Sequence, residues 1–155
     1  MPTADHIDQL LRDLEATPVR LEELFAGRDD AALRARAGTD NWSALDVLIH
    51  LRASDEIIAP RLVQLLVRDE PPLPAFDERR WADVVGYDAF PPALLLARFA
   101  ARRDELLHAL RRCAAAAWER TGRHEEDGSL TLWTIASRLA AHEAEHLTHL
   151  THLLA

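Results

Sequence analysis

Histidine is the residue type that could do the most chemistry in this sequence. Eight histidines occur in 155 residues, whereas lysine is absent and Cys113 is the single cysteine. Histidine is the commonest metal ligand and the usual acid or base near neutral pH. The absence of lysine excludes Schiff-base and lysine general-base chemistry, and a single cysteine excludes an internal disulfide and cysteine-pair zinc sites. The composition therefore favours histidine-based metal or acid–base sites.

Two histidines near the C-terminus have the spacing of ligands on one helix face. His142 and His146 are four positions apart, so on a helix they lie about 40° apart around the axis. His149 falls between them in angle, one turn further on. Leu139 and Ile135 continue the same face backward, so we expect this face to point into a core. Two imidazoles at this spacing suit a metal ion, which then requires a third ligand.

His50 is the best candidate for that third ligand. It lies in the apolar run Val47–Leu51, where an imidazole without a partner would be costly to bury. A hydrogen-bonded core histidine is the alternative for His50 alone, and a solvated polar face is the alternative for the pair near the C-terminus. Three histidines together at core-facing positions favour a metal site with positions left for water or substrate.

The acids beside these histidines have roles that spacing leaves open. Residues 142–146 match His-Glu-x-x-His, in which Glu143 would be the general base of a zinc protease. We discount a protease, because the third ligand must come from upstream and no sheet edge is predicted to hold a peptide. Glu143 and Glu145 each lie about 80° from the mean histidine direction, one on either side. Either could be the catalytic acid or base, and either could be a surface acid.

Helices are predicted to position these residues. Apolar residues recur at helical spacing in four long segments, at about 4–25, 43–68, 92–118 and from 129 or 131 to the C-terminus, with a short helical piece at 29–36. Ser43 is a good N-cap with Asp46 at the capping-box position, and Ser129 or Thr131 caps the last helix.

The connections complete an all-α prediction. Loops are predicted at Gly38–Asn41 and Gly122–Ser129, and the proline-rich stretch 70–92 is predicted to be a long connection with one short helix. No sustained period-two alternation predicts a strand. We therefore expect a four-helix bundle with a long crossover between the second and third helices, forming one domain over residues 1–155.

Charge and hydropathy limit the partners. The net charge is -8, which argues against nucleic-acid binding, and no apolar run approaches the roughly 18 residues of a membrane span. The N-terminal residues resemble no targeting signal, so a cytoplasmic protein is expected. Arg52 and Arg103 could hold a substrate carboxylate, but surface charge is the favoured interpretation of both. Cys113 is interpreted as a small core residue.

The ordered set of motifs resembles the DinB/YfiT-like superfamily over nearly the whole chain. The resemblance is carried by Asn41-Trp42-Ser43, the helix segment Leu45–Leu51, segments 94–99 and 103–107, Trp118, His124, Gly128, Thr131-Leu132 and His142-x-x-x-His146-Leu147. It implies a four-helix bundle with one divalent ion (zinc, nickel, iron or manganese) on three histidines, which map to His50, His142 and His146. His149 stands where members often carry glutamine.

The resemblance also implies a function. Its members include thiol-dependent S-transferases that use low-molecular-weight thiols and proteins named as hydrolases, and homodimers are common. We therefore expect a metal-dependent S-transferase or hydrolase that acts on a small molecule, with a thiol as cosubstrate in the first case. His149 and Asp46 are candidates for contacts next to the metal ligands. A non-catalytic metal- or ligand-binding stress protein is the alternative, and a bundle without metal is the third interpretation.

Overall fold

Helices dominate the computed structural model, which describes residues 1–36 and 41–155. The helices in these ranges are α1 (Ala4–Phe25), α2 (Asp30–Arg34), α3 (Ala44–Val67), α4 (Glu78–Val85), α5 (Pro92–Arg112) and α6 (Leu132–Leu153). None of them is long and apolar enough to cross a membrane. The predicted loop Gly38–Asn41 lies outside the described residues, except for Asn41.

The four long helices form the predicted bundle. Helix α1 packs mainly on α5 and α6, and helix α3 packs on the same two neighbours. Leucines from all four helices fill the interior, with Leu14, Leu62, Leu95 and Leu139 essentially inaccessible to solvent. Because α3 and α6 are direct neighbours, their facing side chains can meet inside the bundle.

Side-chain caps fix where the helices with candidate ligands begin. Ser43 Oγ accepts a hydrogen bond from the Asp46 backbone N–H at 3.1 Å, and Asp46 Oδ2 accepts one from the Ser43 N–H at 2.8 Å. This is the predicted capping box, which satisfies N–H groups that the first helical turn leaves without partners. Thr131, rather than Ser129, caps α6 by accepting from the Thr134 N–H at 3.0 Å.

A small sheet corrects the prediction that the chain has no strands. Strands β1 (Pro72–Leu73), β2 (Thr121–His124) and β3 (Gly128–Thr131) pair in that order, β1 parallel to β2 and β2 antiparallel to β3. The predicted loop Gly122–Ser129 is therefore a hairpin. Strands this short leave almost no period-two pattern, and Gly122 permits the close approach, since a Cβ there would lie 2.8 Å from Leu73 Cδ1.

The third bundle helix ends earlier than predicted. Helix α5 stops at Arg112, and a 3₁₀ turn over Ala115–Glu119 then buries Trp118. The long connection between α3 and α5 contains β1, the predicted short helix as α4, and a further 3₁₀ turn over Tyr87–Ala89. This connection brings α4 against α3, next to the part of α3 that carries His50.

Candidate metal centre

The structure brings together the three histidines that the sequence selected. His50 lies in the second turn of α3, and His142 and His146 lie one turn apart on α6. The Nε2 atom of His142 is 2.9 Å from Nε2 of His50 and 3.1 Å from Nε2 of His146. One ligand atom from each residue lies within 4.8 Å of the others, and all three side chains are partly buried. We call this group the histidine cluster.

The spacing of the histidine cluster fits a cation. Nitrogens about 2.0–2.1 Å from a metal, at angles of about 90–110°, are separated by roughly 2.9–3.4 Å. Hydrogen bonds alone explain the contacts poorly, since Nε2 of His142 meets two other nitrogens and is either a single donor or a single acceptor. The three Nδ1 atoms are buried and have no hydrogen-bond partner in the described part of the chain.

The local environment favours the uncharged form of His50 and His146. Burial, followed by the neighbouring rings of His142, His50 and His149, lowers the pKa of His146 to about 4. Burial and His142 also lower the pKa of His50, against a smaller opposing effect of Glu78. Neutral imidazoles offer lone pairs to a cation, so the cluster is prepared for metal binding at neutral pH.

An indole forms one wall beside the cluster. The ring of Trp42 lies edge-on to His50 at 5.6 Å between centroids and stacks on His146 at 6.2 Å. His149 contacts the same indole at 6.2 Å and the His146 ring at 6.5 Å. His149 therefore lies next to the cluster, where the sequence placed it as a neighbour.

Asp46 is used by the helix cap. Its Oδ2 atom accepts hydrogen bonds from the Ser43 N–H and hydroxyl and lies 3.1 Å from a guanidinium nitrogen of Arg36. The residue lines a cavity of about 350 Å³ together with Trp42 and His50. Asp46 thus fixes the start of the helix that carries His50, and no hydrogen bond within the described residues joins it to an imidazole.

Glu143 faces another part of the bundle, which corrects the expectation that it could serve the metal site. Its carboxylate is 1% exposed and accepts hydrogen bonds from Thr17 Oγ1 at 2.9 Å and from Arg103 Nη1 at 2.8 Å. These partners belong to α1 and α5, whereas the histidine cluster lies between α3 and α6. The other candidate, Glu145, is exposed, and neither acid joins the group of converging ligand atoms.

The surface-charge interpretation of two arginines is also wrong. Arg103 is fully buried and binds Glu143, the Leu14 carbonyl at 2.9 Å and Asp55 at 3.4 Å. Burial alone would lower the pKa of Arg103, but the ion pairs with Glu143 and Asp55 raise it. Arg52 is 5% exposed and pairs with Glu56 one turn later. Both arginines can be buried because the tertiary structure places a carboxylate next to each guanidinium.

One acid that lines the cavities beside the histidine cluster was not predicted. Glu78, in the first turn of α4, lines the 350 Å³ cavity with His50 and a second cavity of about 210 Å³ with His142. Its charge is also the one acidic influence that raises the pKa of His50. No spacing signal could have found Glu78, because it lies in the long connection and reaches the site only through tertiary packing.

Cys113 has the inert environment that the sequence suggested. The residue is partly buried, its Sγ donates to the Leu110 carbonyl at 3.1 Å, and burial raises the pKa of the thiol. A raised pKa leaves little thiolate at neutral pH, so the thiol is a poor nucleophile.

Comparison with known proteins finds similar proteins over most of the chain. A family model described as the DinB superfamily matches residues 13–150. Two proteins of Oceanobacillus iheyensis, each named "putative metal-dependent hydrolase", are 25% and 22% identical to this chain over 147 and 148 residues, covering 95% and 96% of it and 85% of each relative. A relative of the same name from Halalkalibacterium halodurans is 20% identical over 96% of the chain and 86% of its own length.

A solved structure gives the same architecture. YfiT from Bacillus subtilis, described as a probable metal-dependent hydrolase with an unusual four-helix bundle topology, superimposes with a TM-score of 0.89. The match covers 99% of this chain and 88% of that protein, at 21% sequence identity. At this identity the likeness establishes the fold, in agreement with the predicted bundle and its long crossover.

Proposed function

The chain belongs to the DinB superfamily, and on that premise we propose that it is a metal-dependent enzyme with one divalent cation bound by His50, His142 and His146. The observation that carries the proposal is the convergence of three imidazole Nε2 atoms on one point between two helices. Three protein nitrogens with a further position free are typical of catalytic rather than structural metal sites. Zinc, nickel, iron and manganese all accept such ligands.

The cation would supply Lewis acidity that activates water or a thiol as the nucleophile. Three neutral ligands leave the full positive charge of the ion in place, which favours an anionic nucleophile. Hydrolysis is the reaction type supported by the names of the relatives. Transfer to a low-molecular-weight thiol is the second type, and it rests on the resemblance of the sequence motifs alone.

The residues of this chain would divide the remaining work. Trp42 packs against His50 and His146, so it restricts their ring orientations and excludes water from one side. Glu78 is the acid that lines both cavities beside the cluster, and its carboxylate would accept a proton from the nucleophile. Glu78 thereby takes the role that the sequence offered to Glu143 or Glu145.

Metal analysis of protein purified without a histidine tag tests the site. We expect close to one divalent ion per chain, which a His50→Ala variant loses. His108→Ala is the matched control, since His108 is an exposed histidine on α5. Failure of the wild-type protein to take up zinc, nickel, iron or manganese, with an unchanged melting temperature after supplementation, would exclude the site.

Activity assays distinguish an enzyme from a binding protein. The metal-loaded protein is tested against ester and amide substrates, and for conjugation of an electrophile to several bacterial thiols. Turnover that Glu78→Gln reduces at least about tenfold supports the enzyme and the proton-accepting role of Glu78. A metal-loaded protein that turns over none of these substrates supports the non-catalytic metal-binding alternative.

Four further features remain predictions from the sequence. These are one domain over residues 1–155, a homodimer, a small-molecule substrate and a cytoplasmic location without nucleic-acid partners. Light scattering on the metal-loaded protein, over a range of protein concentrations, tests for the homodimer.

A further inference from the structure

Arg61 differs from the other arginines that the bundle buries. Within the described residues, four other buried or partly buried arginines each lie within salt-bridge distance of a carboxylate: Arg52 with Glu56, Arg102 with Asp55, Arg103 with Glu143, and Arg120 with Asp69. Arg61, near the end of α3, is partly buried and has no carboxylate at that distance; burial lowers the pKa of Arg61, and the charge of Glu78 opposes this shift only in part. Burying part of a cation without a bound counter-charge is unfavourable, so the position calls for an explanation.

The guanidinium of Arg61 is held in place. Its Nη2 atom donates a hydrogen bond to the Pro74 carbonyl, and its Cζ atom lies 5.6 Å from the centre of the Phe76 ring. Its Nε atom is buried and has no hydrogen-bond partner within the described residues. A fixed guanidinium with a spare donor can bind an anion with little loss of side-chain entropy.

Arg61 lines the cavity of about 210 Å³ next to the histidine cluster. We call this the Arg61 pocket; helix α3, helix α6 and the β2–β3 hairpin enclose it. Positions 50, 54, 58 and 61 recur at helical spacing, so α3 presents His50, Ser54, Ile58 and Arg61 along one face. The face of α3 that lines the pocket therefore continues the face that carries His50, the candidate metal ligand.

A second unused donor lies in the same pocket. Ser54 is 2% exposed, and its Oγ atom has no hydrogen-bond partner in the described part of the chain. A buried hydroxyl without a partner is costly in a finished core but suits a surface that a ligand completes. Apolar side chains form much of the remaining wall: Ile58, Leu130, Ile135 and Leu139. His142 of the histidine cluster also lines the pocket.

We propose that the Arg61 pocket binds the carboxylate of a small, otherwise apolar substrate. The carboxylate would accept hydrogen bonds from Arg61 and Ser54, and the apolar part would contact the aliphatic wall on the way to His142. The conclusion that the bound carboxylate belongs to a substrate rests on the proposed metal site. Carboxylate binding in the Arg61 pocket does not depend on a metal.

The charges of the pocket favour a monoanion over phosphate. Arg61 has no carboxylate within salt-bridge distance, whereas Arg138 at the same cavity binds Asp127 at 2.6 Å. Glu78 also lines the pocket, where its charge offsets part of the Arg61 charge and repels anions. A carboxylate with one negative charge is therefore repelled less by Glu78 than a dianion such as phosphate.

Calorimetric titration with sodium pentanoate tests the proposal, with pentanamide as the uncharged control. We expect pentanoate to bind at least about tenfold more tightly than pentanamide, and Arg61→Gln to remove that difference. Glu78→Gln should tighten pentanoate binding a few-fold to about tenfold, since it removes a like charge. Arg68→Gln is the matched control, because Arg68 is an exposed arginine at the end of the same helix.

Several outcomes would overturn the assignment. They are undiminished pentanoate binding by Arg61→Gln, no binding by the wild-type protein, or tighter binding of inorganic phosphate than of pentanoate. Arg61→Lys keeps the charge but loses Nε, so it provides the same test if Arg61→Gln does not fold, and it should also weaken binding.

The His50→Ala protein separates this proposal from the proposed function. Pentanoate binding that persists in His50→Ala and depends on Arg61 supports the pocket even if no metal is found. Binding that is lost in His50→Ala but retained in Arg61→Gln places the carboxylate on the metal, and overturns the pocket while leaving the metal site intact.

Discussion

Helix α6 contributes to two polar clusters, and its adjacent residues His142 and Glu143 belong to different clusters. His142 contributes to the histidine cluster towards α3, whereas Glu143 contributes to a group on α1, α3 and α5. We call this second group the buried ion-pair cluster; it consists of Thr17, Asp55, Arg103 and Glu143. All four of its residues are at most 3% exposed.

The two clusters differ in how completely their polar atoms are satisfied. In the ion-pair cluster, both carboxylates bind guanidinium groups, and Thr17 and the Leu14 carbonyl complete the contacts. In the histidine cluster, the three Nε2 atoms face one another, and the Nδ1 atoms of the same rings have no partners among the described residues. Each charge of the ion-pair cluster meets an opposite charge, although Arg103 Nε has no hydrogen-bond partner among the described residues, so the cluster supports the fold. The histidine cluster instead brings three Nε2 atoms together without a charged partner, which suits a cation.

Removing one charge from the ion-pair cluster should have the largest effect on stability. Arg103→Met leaves Glu143 buried without its cation, so the free energy of unfolding should fall by about 3–5 kcal/mol. Urea denaturation measures the change. The Arg103→Met/Glu143→Leu double variant should recover much of the loss, because Asp55 keeps Arg102 at 2.9 Å. A single-variant loss below about 1 kcal/mol would mean that the cluster is not the structural element described.

Removing one ligand from the histidine cluster should instead change metal binding. His142→Ala should lower metal affinity at least about 100-fold, which corresponds to about 2.7 kcal/mol. The metal-free variant should unfold at nearly the same urea concentration as the metal-free wild-type protein. Metal content and a chelator competition check the affinity, with His108→Ala as control. If His142→Ala retains its metal, the cluster is not the binding site.

Acidification should weaken the metal-free protein through the histidine cluster. His146 has a pKa of about 4 in the fold against 6.5 as its ordinary value, so the unfolded chain takes up a proton that the native state resists. The free energy of unfolding should therefore fall as the pH drops from about 6.5 towards 4. Urea denaturation over this range, with a chelator present, should show a shallower decline for His146→Gln. Identical slopes in the two proteins would refute the assignment.

The smallest effect is expected at the acid on the other side of the histidines. Glu145 is exposed and belongs to neither cluster, so Glu145→Gln should change the free energy of unfolding by less than about 0.5 kcal/mol. Metal content should also stay unchanged. The same substitution at Glu143 should be clearly destabilising, because it removes the charge that Arg103 binds. Equal effects at both positions would contradict the contrast between them.

Much of the fold and the convergence of the three histidines could be predicted because both follow largely from local periodicity. The bounds of α1, the Ser43–Asp46 capping box and the direction of His142 and His146 all depend on residues within a few positions of one another. His50 could be added because a lone polar residue in an apolar helical run needs a partner. Comparison with known proteins confirms the family that these motifs resembled.

Other features depend on residues far apart in the chain. Angle alone left Glu143 and Glu145 equivalent, and the choice was made by Arg103, forty positions away from Glu143, and by Thr17, at 126 positions. The hairpin was missed because its strands span only four residues each. Glu78 and Arg61 gained their significance from packing around one pocket.

The sequence by itself determined most of the helices, the Ser43–Asp46 cap and the core-facing positions of the three histidines, because helical period and capping are local properties. Only the tertiary structure decided which charges are satisfied internally and which are left for a ligand. Ion pairing depends on which distant side chains meet in a medium of low dielectric. Arg103 meets Glu143 there, whereas Arg61 has no carboxylate within salt-bridge distance.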